Sequence, residues 1–281
     1  MPQTPGVVAT MSDTAQVNVF DLSPVFQSMV ANVPRAPAPT KPLFTFSGHR
    51  EEGFAIDWSL AVTGRLATGD CTGKIHVWNP ANGSWSVDAT AFTGHKSSVE
   101  DIQWSPSEGT VFASASADKT VKIWDIRDKS KAQISFDAHT DDVNVISWNR
   151  NVGFLLASGS DDGSFKVWDL RSIKKGSLPL ANFSFHKGPI TSIEWAPHDE
   201  SMIGVSSTDN QVSIWDLSVE ADDDAATKDP ALEEYPPQLL FLHMGQTNIK
   251  ELHFHPQIPG TVVSTAEDSF NIFKPAITVS S

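Results

Sequence analysis

Short runs in which apolar and polar residues alternate recur along the chain, as they do in half-buried β-strands. Four of these runs contain a tryptophan at or near their end, and a second tryptophan precedes each of them by 20 residues. A histidine lies nine residues before each second tryptophan. The three sets are Trp78, Trp124, Trp168 and Trp215; Trp58, Trp104, Trp148 and Trp195; and His49, His95, His139 and His186. The pattern predicts an all-β chain built from repeated units.

The repeat has a period in the forties, with Gly-His near its start and Trp-Asp near its end, which is the WD-repeat signature. Each copy predicts one four-stranded antiparallel blade of a β-propeller. The four whole blades are expected at 48–93, 94–137, 138–185 and 186–242. The clearest blade has expected strands at 99–104, 110–115, 120–125 and 133–136.

Incomplete blades are expected at both ends of the chain. Residues 1–47 hold strands near 7–11, 16–21 and 43–46 and a proline-rich insertion, which we expect to be extended and mobile. Residues 243–281 hold a degenerate copy, in which His243, Phe254 and Phe273 replace the histidine and the two tryptophans. A seven-bladed ring needs about 300 residues. We therefore expect residues 1–281 to form a single, N-terminally shortened, partial propeller of about five to six blades.

Histidine, serine, aspartate and tryptophan also recur in register, as in His95, Ser114, Asp118 and Trp124. Such residue types favour a hydrolase hypothesis at first sight. A catalytic triad, however, occurs once per site rather than in every repeat. Buried indole, hydroxyl and imidazole groups must each find a hydrogen-bond partner, so a structural role is the favoured interpretation.

Two blades depart from this set. In the blade at 48–93, Thr72 stands where the turn aspartate is expected and Asp70 lies two residues earlier. In the blade at 186–242, Val205 stands where the serine is expected. We expect this set of polar residues to tie both blades less tightly than it ties the others.

Composition narrows the classes of function. The net charge of −14 would repel phosphate backbones, so no direct nucleic-acid partner is expected, whereas basic proteins would be attracted. No apolar run is long enough to cross a bilayer, so no membrane partner is expected. The single Cys71 excludes a disulfide framework. His253 and His255 share a strand face without an evident third ligand, and no phosphate-binding or nucleophile motif occurs. We expect no enzyme and no cofactor.

An acidic segment at 218–237 is the first candidate binding site, with seven acidic residues against one lysine. Such a segment is expected to be flexible when free. Its alternatives are an ordinary solvated loop and a clamp for a cationic partner. Its candidate contact residues are Glu220, Asp222, Asp223, Asp224, Glu233, Glu234, Pro236 and Pro237. Acids expected on the face with the histidine-bearing loops are further candidates, chiefly Glu51, Glu52, Asp141 and Asp142.

Two Trp-Asp-x-Arg boxes are the second candidate site. They place Arg127 after Asp125 and Arg171 after Asp169 in adjacent blades. Arginine at the end of a strand is often just a solvated charge. The alternative is docking to another protein through a bidentate guanidinium.

The chain resembles the glutamate-rich WD-repeat family, which is related to the fungal regulator of ribosome biosynthesis. The stretches that carry this resemblance are 46–58, 64–71, 98–104, 142–148 and 250–256. The resemblance implies a nuclear, largely nucleolar protein that acts in ribosome assembly, chaperones a basic ribosomal protein and binds histones. In the wider retinoblastoma-associated relatives, an acidic loop ending in Pro-Pro pairs with an N-terminal helix to hold a histone helix. The segment 218–237 matches that loop, but no match to the helix is present.

The Trp-Asp-x-Arg boxes resemble the motif by which cullin–RING substrate receptors dock a damaged-DNA-binding adaptor. The favoured hypothesis is therefore a non-enzymatic chaperone or scaffold for basic ribosomal proteins or histones. The alternative is a substrate receptor of a cullin–RING ubiquitin ligase. An enzyme remains a distant third class.

Overall fold

Strands dominate the computed structural model, which describes residues 1–31, 41–173, 176, 178–220 and 235–276. The described residues form six antiparallel sheets, which we number blades one to six in chain order. The all-β prediction is confirmed, and the described part contains one helix. No helix among these residues has the length and hydrophobicity needed to cross a bilayer.

Blade one has three strands, β1 (Val7–Met11), β2 (Val17–Asp21) and β3 (Phe44–Phe46), paired in that order. Helix α1 (Ser23–Val30) follows β2, with a proline in its first turn and no buried residue. The prediction that the whole insertion is extended is therefore wrong at its start. Proline suits the first turn because the N–H it lacks has no partner there. Of the insertion's prolines, Pro34, Pro37 and Pro39 lie outside the described residues.

Blade two has a divided outer edge. Its strands are β4 (Ile56–Trp58), β5 (Leu66–Gly69), β6 (Lys74–Ala81), β7 (Ser84–Val87) and β8 (Phe92–Thr93). Both β7 and β8 pair with β6. Asn82 and Gly83 join β6 to β7 with φ values of 47° and 76°, the left-handed backbone that a tight two-residue hairpin needs.

Blades three to five each have four strands. Blade three contains β9 (Val99–Trp104), β10 (Val111–Ser116), β11 (Thr120–Asp125) and β12 (Ile134–Asp137). Blade four contains β13 (Val143–Trp148), β14 (Leu155–Ser160), β15 (Phe165–Asp169) and β16 (Ala181–Phe183). Blade five contains β17 (Ile190–Trp195), β18 (Met202–Ser207), β19 (Gln211–Asp216) and β20 (Leu239–Met244). The strands expected in blade three agree to within one residue.

Blade six has three strands among the described residues, β21 (Ile249–Phe254), β22 (Val262–Ala266) and β23 (Phe270–Phe273). The chain divides into two compact units, Met1–Val143 with Ile173–Gly176, and Asn144–Ser172 with Ser177–Ser281. In the first unit, Trp78, Trp104 and Trp124 are buried among the aliphatic side chains of neighbouring strands. In the second, Trp195 and Trp215 hold the equivalent place.

Candidate protein-binding site

The recurrent histidines are buried structural groups. In blade three, His95 joins Asp118 through Nδ1 (3.0 Å) and Ser114 through Nε2 (2.6 Å). Ser114 also accepts the indole N–H of Trp124 at 2.8 Å. Burial lowers the pKa of His95. Burial alone would raise the pKa of Asp118, but hydrogen bonds from His95 and Thr120 hold that pKa well below its usual range. A neutral imidazole with both nitrogens occupied ties the loop to the core.

Blade two is tied in the same way, contrary to the prediction. Asp70 is fully buried and lies 3.0 Å from His49 Nδ1, while Thr68 bonds His49 Nε2 (2.8 Å) and the Trp78 indole (3.0 Å). Asp70 also accepts the N–H and the hydroxyl of Thr72. The aspartate therefore works from its shifted position, because the turn brings its carboxylate back to the histidine.

Blade five is also tied, through a hydroxyl on the neighbouring strand. Ser213 lies directly opposite Val205 in the β18–β19 pair. Its Oγ lies 2.8 Å from His186 Nε2 and accepts the Trp215 indole N–H at 2.7 Å. Directly opposite residues of an antiparallel pair share a face, so the hydroxyl can change strands without losing its partners. The predicted loosening at Val205 is not found.

In blade six, Gln246 occupies the place that the sequence assigned to His243. Gln246 is buried, and its amide oxygen accepts the hydroxyl of Ser264 on β22. His243 belongs to β20 of blade five and stacks on Phe273, with ring centroids 4.0 Å apart. Gly245-Gln246 therefore replaces Gly-His, and a one-residue shorter spacing hid this replacement.

The acidic candidates near 218–237 fall partly within the described residues. Glu220 and Pro237 are exposed and Pro236 is half-buried. The other five, Asp222, Asp223, Asp224, Glu233 and Glu234, lie outside the described residues. The two described ends of the segment are tied together, because the Gln238 side chain donates to the Val219 carbonyl at 3.0 Å.

The other acidic candidates lie in the first unit. Glu51 and Glu52 are exposed and line a shallow depression of about 410 Å³ together with Arg50. Asp141 is exposed and accepts the backbone N–H of Asp142 at 3.1 Å. These carboxylates differ from Asp70 and Asp118, which are committed to internal hydrogen bonds.

Both box arginines are held by their own aspartates. Arg127 donates through Nε to the two carboxylate oxygens of Asp125 at 2.9 Å. Arg171 donates to Asp169 through Nε (3.0 Å) and Nη2 (2.7 Å) and stacks over Phe154, with Cζ 3.4 Å from the ring centroid. Their side chains remain 72% and 63% exposed. The guanidinium groups are thus orientated but accessible.

A cleft of about 430 Å³ in the second unit had no signal in the sequence. Its apolar wall combines the outermost strands of blades four and five with the end of the acidic segment. We call it the Tyr235 cleft. The wall residues are Phe183, Phe185, Tyr235, Pro236, Leu242 and Met244. Of these six residues, only Pro236 was predicted from the sequence, because the others become neighbours only when blades four and five pack together.

His253 faces carboxylates rather than a partner histidine. Its Nδ1 lies 3.2 Å from Glu194 on β17, and its Nε2 lies 3.9 Å from Glu251. Hydrogen bonding to Glu194 raises the pKa of His253 above its ordinary value of 6.5. No three His, Cys, Asp or Glu residues in the described part of the chain are arranged to hold a metal ion.

A pH-dependent contribution to stability follows from this pair. Because the pKa of His253 is higher in the folded state, the stabilisation is complete below 6.5 and is lost as the pH rises through the folded value. Wild type should therefore exceed His253→Gln in unfolding free energy at pH 5.5, by up to about 1 kcal/mol for so exposed a pair. The difference should shrink at pH 8.5. Urea unfolding checks this, with the exposed His198→Gln as control, and an equal difference at both pH values would refute it.

Comparison with known proteins identifies a repeat family that the chain matches and several proteins to which it is similar. Residues 86–125, 130–169 and 177–216 match the family described as WD domain, G-beta repeat. The chain is similar to Protein HEAT STRESS TOLERANT DWD 1 of Arabidopsis thaliana, with 54% identity over 98% of this chain and 62% of that protein. It is 46% identical to Ribosome assembly protein rrb1 of Schizosaccharomyces pombe, over 95% of this chain and 57% of that protein. It is 54% identical to Glutamate-rich WD repeat-containing protein 1 of Dictyostelium discoideum, over 98% and 57%.

The blades and their repeats define a WD-repeat protein. Within that class, the chain belongs with the glutamate-rich WD-repeat proteins, to which it is homologous over nearly its whole length. It spans 57–62% of the length of these curated relatives.

Proposed function

We propose that this chain is a non-enzymatic scaffold that binds basic nuclear proteins, either ribosomal proteins or histones, during ribosome assembly in the nucleus and nucleolus. The observation that carries the proposal is the 46% identity, over 95% of the chain, to a relative named a ribosome assembly protein. That name describes the relative and not this chain. The charge and the exposed acids of this chain support extending the role to it.

The distribution of acidic residues favours a cationic partner. The carboxylates of Asp70 and Asp118 make internal hydrogen bonds, so they contribute little to the recognition of a partner protein. Glu51, Glu52 and Glu220 are exposed, and the segment 218–237 adds further carboxylates by sequence. A surface of this sign attracts basic proteins over a long range and disfavours phosphate backbones.

A non-enzymatic role agrees with the state of the Ser, His and Asp side chains. In blades two, three and five, the imidazole is buried and holds both its aspartate and its hydroxyl partner inside the protein. None of these hydroxyls is presented to a substrate. We propose that no cofactor takes part.

Removing charge from the acidic segment is expected to slow association with a basic partner. The test variant replaces Asp222, Asp223, Asp224, Glu233 and Glu234 with Asn or Gln. Electrostatic steering changes association rates by about 10-fold to 1,000-fold, so we expect at least a tenfold loss at low salt. In 1 M salt the Debye length falls to about 3 Å and the difference should nearly vanish.

Stopped-flow association with purified histones and with a basic ribosomal protein measures this effect. A control that neutralises the exposed carboxylates of Glu108, Asp137 and Glu200 should change the rate less for each charge removed. An unchanged association rate at low salt would assign the segment to an ordinary solvated loop. The acids near Glu51 and Asp141 would then become the better candidates.

A second candidate function is that of a substrate receptor in a cullin–RING ubiquitin ligase. Two observations favour it: the name of the relative HEAT STRESS TOLERANT DWD 1, and the orientated guanidinium groups of Arg127 and Arg171. With Asp125 and Asp169 on one edge of each guanidinium, the remaining donors can meet an acceptor on an adaptor.

If the boxes dock an adaptor, replacing both Arg127 and Arg171 with alanine should abolish co-purification of that adaptor. The free energy of unfolding should change by less than about 1 kcal/mol, because both side chains are largely exposed. Co-purification and urea unfolding are measured together, with Arg50→Ala and Arg150→Ala as a control for exposed arginines. Retained adaptor binding in the double variant would assign the boxes to solvated surface charges.

A further inference from the structure

We propose that Asn82, at the tip of the hairpin between β6 and β7, is a site of spontaneous deamidation whose isoaspartate product loosens the contact between blades one and two. The reaction replaces the side-chain amide by a carboxylate and needs only water and a trace of hydroxide. Asn82 is followed by Gly83, and no other asparagine of the chain precedes a glycine.

The reaction starts when the backbone nitrogen of Gly83 attacks the side-chain carbonyl carbon of Asn82. A new N–C bond closes a succinimide ring, the bond from that carbon to the amide nitrogen breaks, and the Gly83 proton leaves with ammonia. Water then opens the ring at one of its two carbonyl carbons. Opening at the former side-chain carbon gives aspartate. Opening at the backbone carbonyl carbon gives isoaspartate, in which the main chain runs through the side chain.

The reacting groups lie open at the hairpin tip. Asn82 and Gly83 are exposed, and a Cβ atom at Gly83 would have no heavy atom within 4 Å. Among the described residues, neither the Asn82 amide nor the Gly83 N–H has a hydrogen-bond partner. The tip can also rotate towards ring closure at little cost, because β7 is an edge strand that pairs only with β6. A following glycine adds no side chain to obstruct the attack.

Two other asparagines provide comparisons within the chain. Asn79 lies on β6 of the same hairpin, but Pro80 follows it and has no N–H with which to attack. Asn182 is exposed, and its amide has no hydrogen-bond partner among the described residues. Its following residue, however, is the bulky Phe183 of β16. An exposed, unbonded amide with an unobstructed attacking nitrogen is therefore expected at Asn82 and at neither of these two.

The two products fit the hairpin differently. Asp-Gly suits a two-residue hairpin loop as Asn-Gly does, so the aspartate product should leave the strands in register. Isoaspartate adds one carbon atom to the backbone of the loop, so the Ala81–Ser84 pair can no longer close in the same geometry. The next pair along the hairpin is Pro80 with Trp85, and it would be displaced with the loop.

Trp85 is the side chain through which this displacement would reach blade one. Its indole N–H donates to the Gly64 carbonyl at 2.8 Å. Its ring centroid lies 6.0 Å from that of Trp58 and 6.3 Å from that of Phe44. Phe44 belongs to β3, so Trp85 joins the outer strands of blades one and two. Moving Trp85 would weaken both the hydrogen bond and these aromatic contacts.

Ageing the purified chain in mildly alkaline buffer tests the site, because base favours loss of the Gly83 N–H proton. Peptide mapping by mass spectrometry locates the deamidated residue, and enzymatic methylation of isoaspartate measures that product. We expect the amide-to-acid mass change at Asn82, with Asn79 and Asn182 unchanged, and slower conversion in mildly acidic buffer. An intact Asn82, or conversion of Asn182 at the same rate, would overturn the assignment.

Variants separate the modification from its effect on stability. Asn82→Gly keeps a loop sequence that suits the hairpin but has no amide, and Asn82→Asp carries the charge of one product from the start. Aged wild type should unfold at a lower urea concentration than fresh wild type. Aged Asn82→Gly should unfold as its fresh protein does, and fresh Asn82→Asp as fresh wild type does. An unchanged urea midpoint despite isoaspartate at Asn82, or an equal loss in aged Asn82→Gly, would overturn the proposed loosening.

Discussion

Replacing Ser213 with alanine is expected to lower the free energy of unfolding by about 2–4 kcal/mol. The Ser213 hydroxyl serves two buried groups, the Nε2 atom of His186 and the indole N–H of Trp215. Its removal leaves both without a partner in the core, and each unsatisfied buried group costs about 1–3 kcal/mol. Denaturant unfolding followed by tryptophan fluorescence measures the loss.

An exchange across the strand pair separates this cause from a general packing defect. Because Val205 lies opposite Ser213, the double variant Val205→Ser, Ser213→Val returns the hydroxyl to the strand that carries it in blade three. We expect it to recover most of the stability lost by Ser213→Ala. The exposed Ser184→Ala serves as a control and should change stability by less than about 0.5 kcal/mol. A loss of similar size in the exchanged variant would contradict the hydrogen-bond explanation.

Replacing Asp70 with alanine is expected to cost about 3–5 kcal/mol, because several buried donors lose one acceptor and each unsatisfied buried group costs about 1–3 kcal/mol. Asp70 accepts hydrogen bonds from His49, from the N–H and hydroxyl of Thr72, and from the N–H of Lys74. All four donors would lose their acceptor. Thr72→Ala removes one hydroxyl donor and should cost only about 0.5–1.5 kcal/mol. The ratio of the two effects tests whether Asp70 is the functional turn aspartate.

The same residue gives this prediction a pH signature. Burial works against ionisation of Asp70, but its hydrogen bonds with His49, Thr72 and Lys74 prevail and hold its pKa well below the ordinary 3.8. A depressed folded pKa contributes stability above the unfolded value, and this is lost as the pH falls. The gap between wild type and Asp70→Ala should therefore narrow below about pH 4. A gap that widens in acid, or equal effects of Asp70→Ala and Thr72→Ala, would contradict the assignment.

Much of the fold could be predicted because the repeat fixes both strand order and the buried aromatic positions. Trp104 is the last residue of β9, and Trp124 is the last residue but one of β11, as their spacing predicts. The predictions were wrong where a different residue makes the expected hydrogen bond. Ser213, Asp70 and Gln246 replace expected partners through cross-strand pairing, a returning turn and a changed spacing, none of which a position-by-position pattern reveals.

The candidate site could likewise be predicted from the sequence only in part. Charge is additive along a sequence, so the acidic segment and the exposed Glu51 and Glu52 could be found without a structure. The Tyr235 cleft could not, because Phe185, Tyr235 and Met244 are distant in sequence and meet only through the pairing of β19 with β20 and the packing of blade four beside it. Helix α1 was not predicted, because the proline-rich insertion that contains its eight residues indicated an extended segment.

Affinity capture from nuclear extract, followed by quantitative mass spectrometry, tests whether this chain binds basic nuclear proteins through its acidic segment. The chain and its variant neutralised at Asp222, Asp223, Asp224, Glu233 and Glu234 are compared at low salt. We expect basic ribosomal proteins or histones to be enriched by the chain and depleted with the variant. Capture of a cullin-ligase adaptor without any basic ribosomal protein or histone would contradict it.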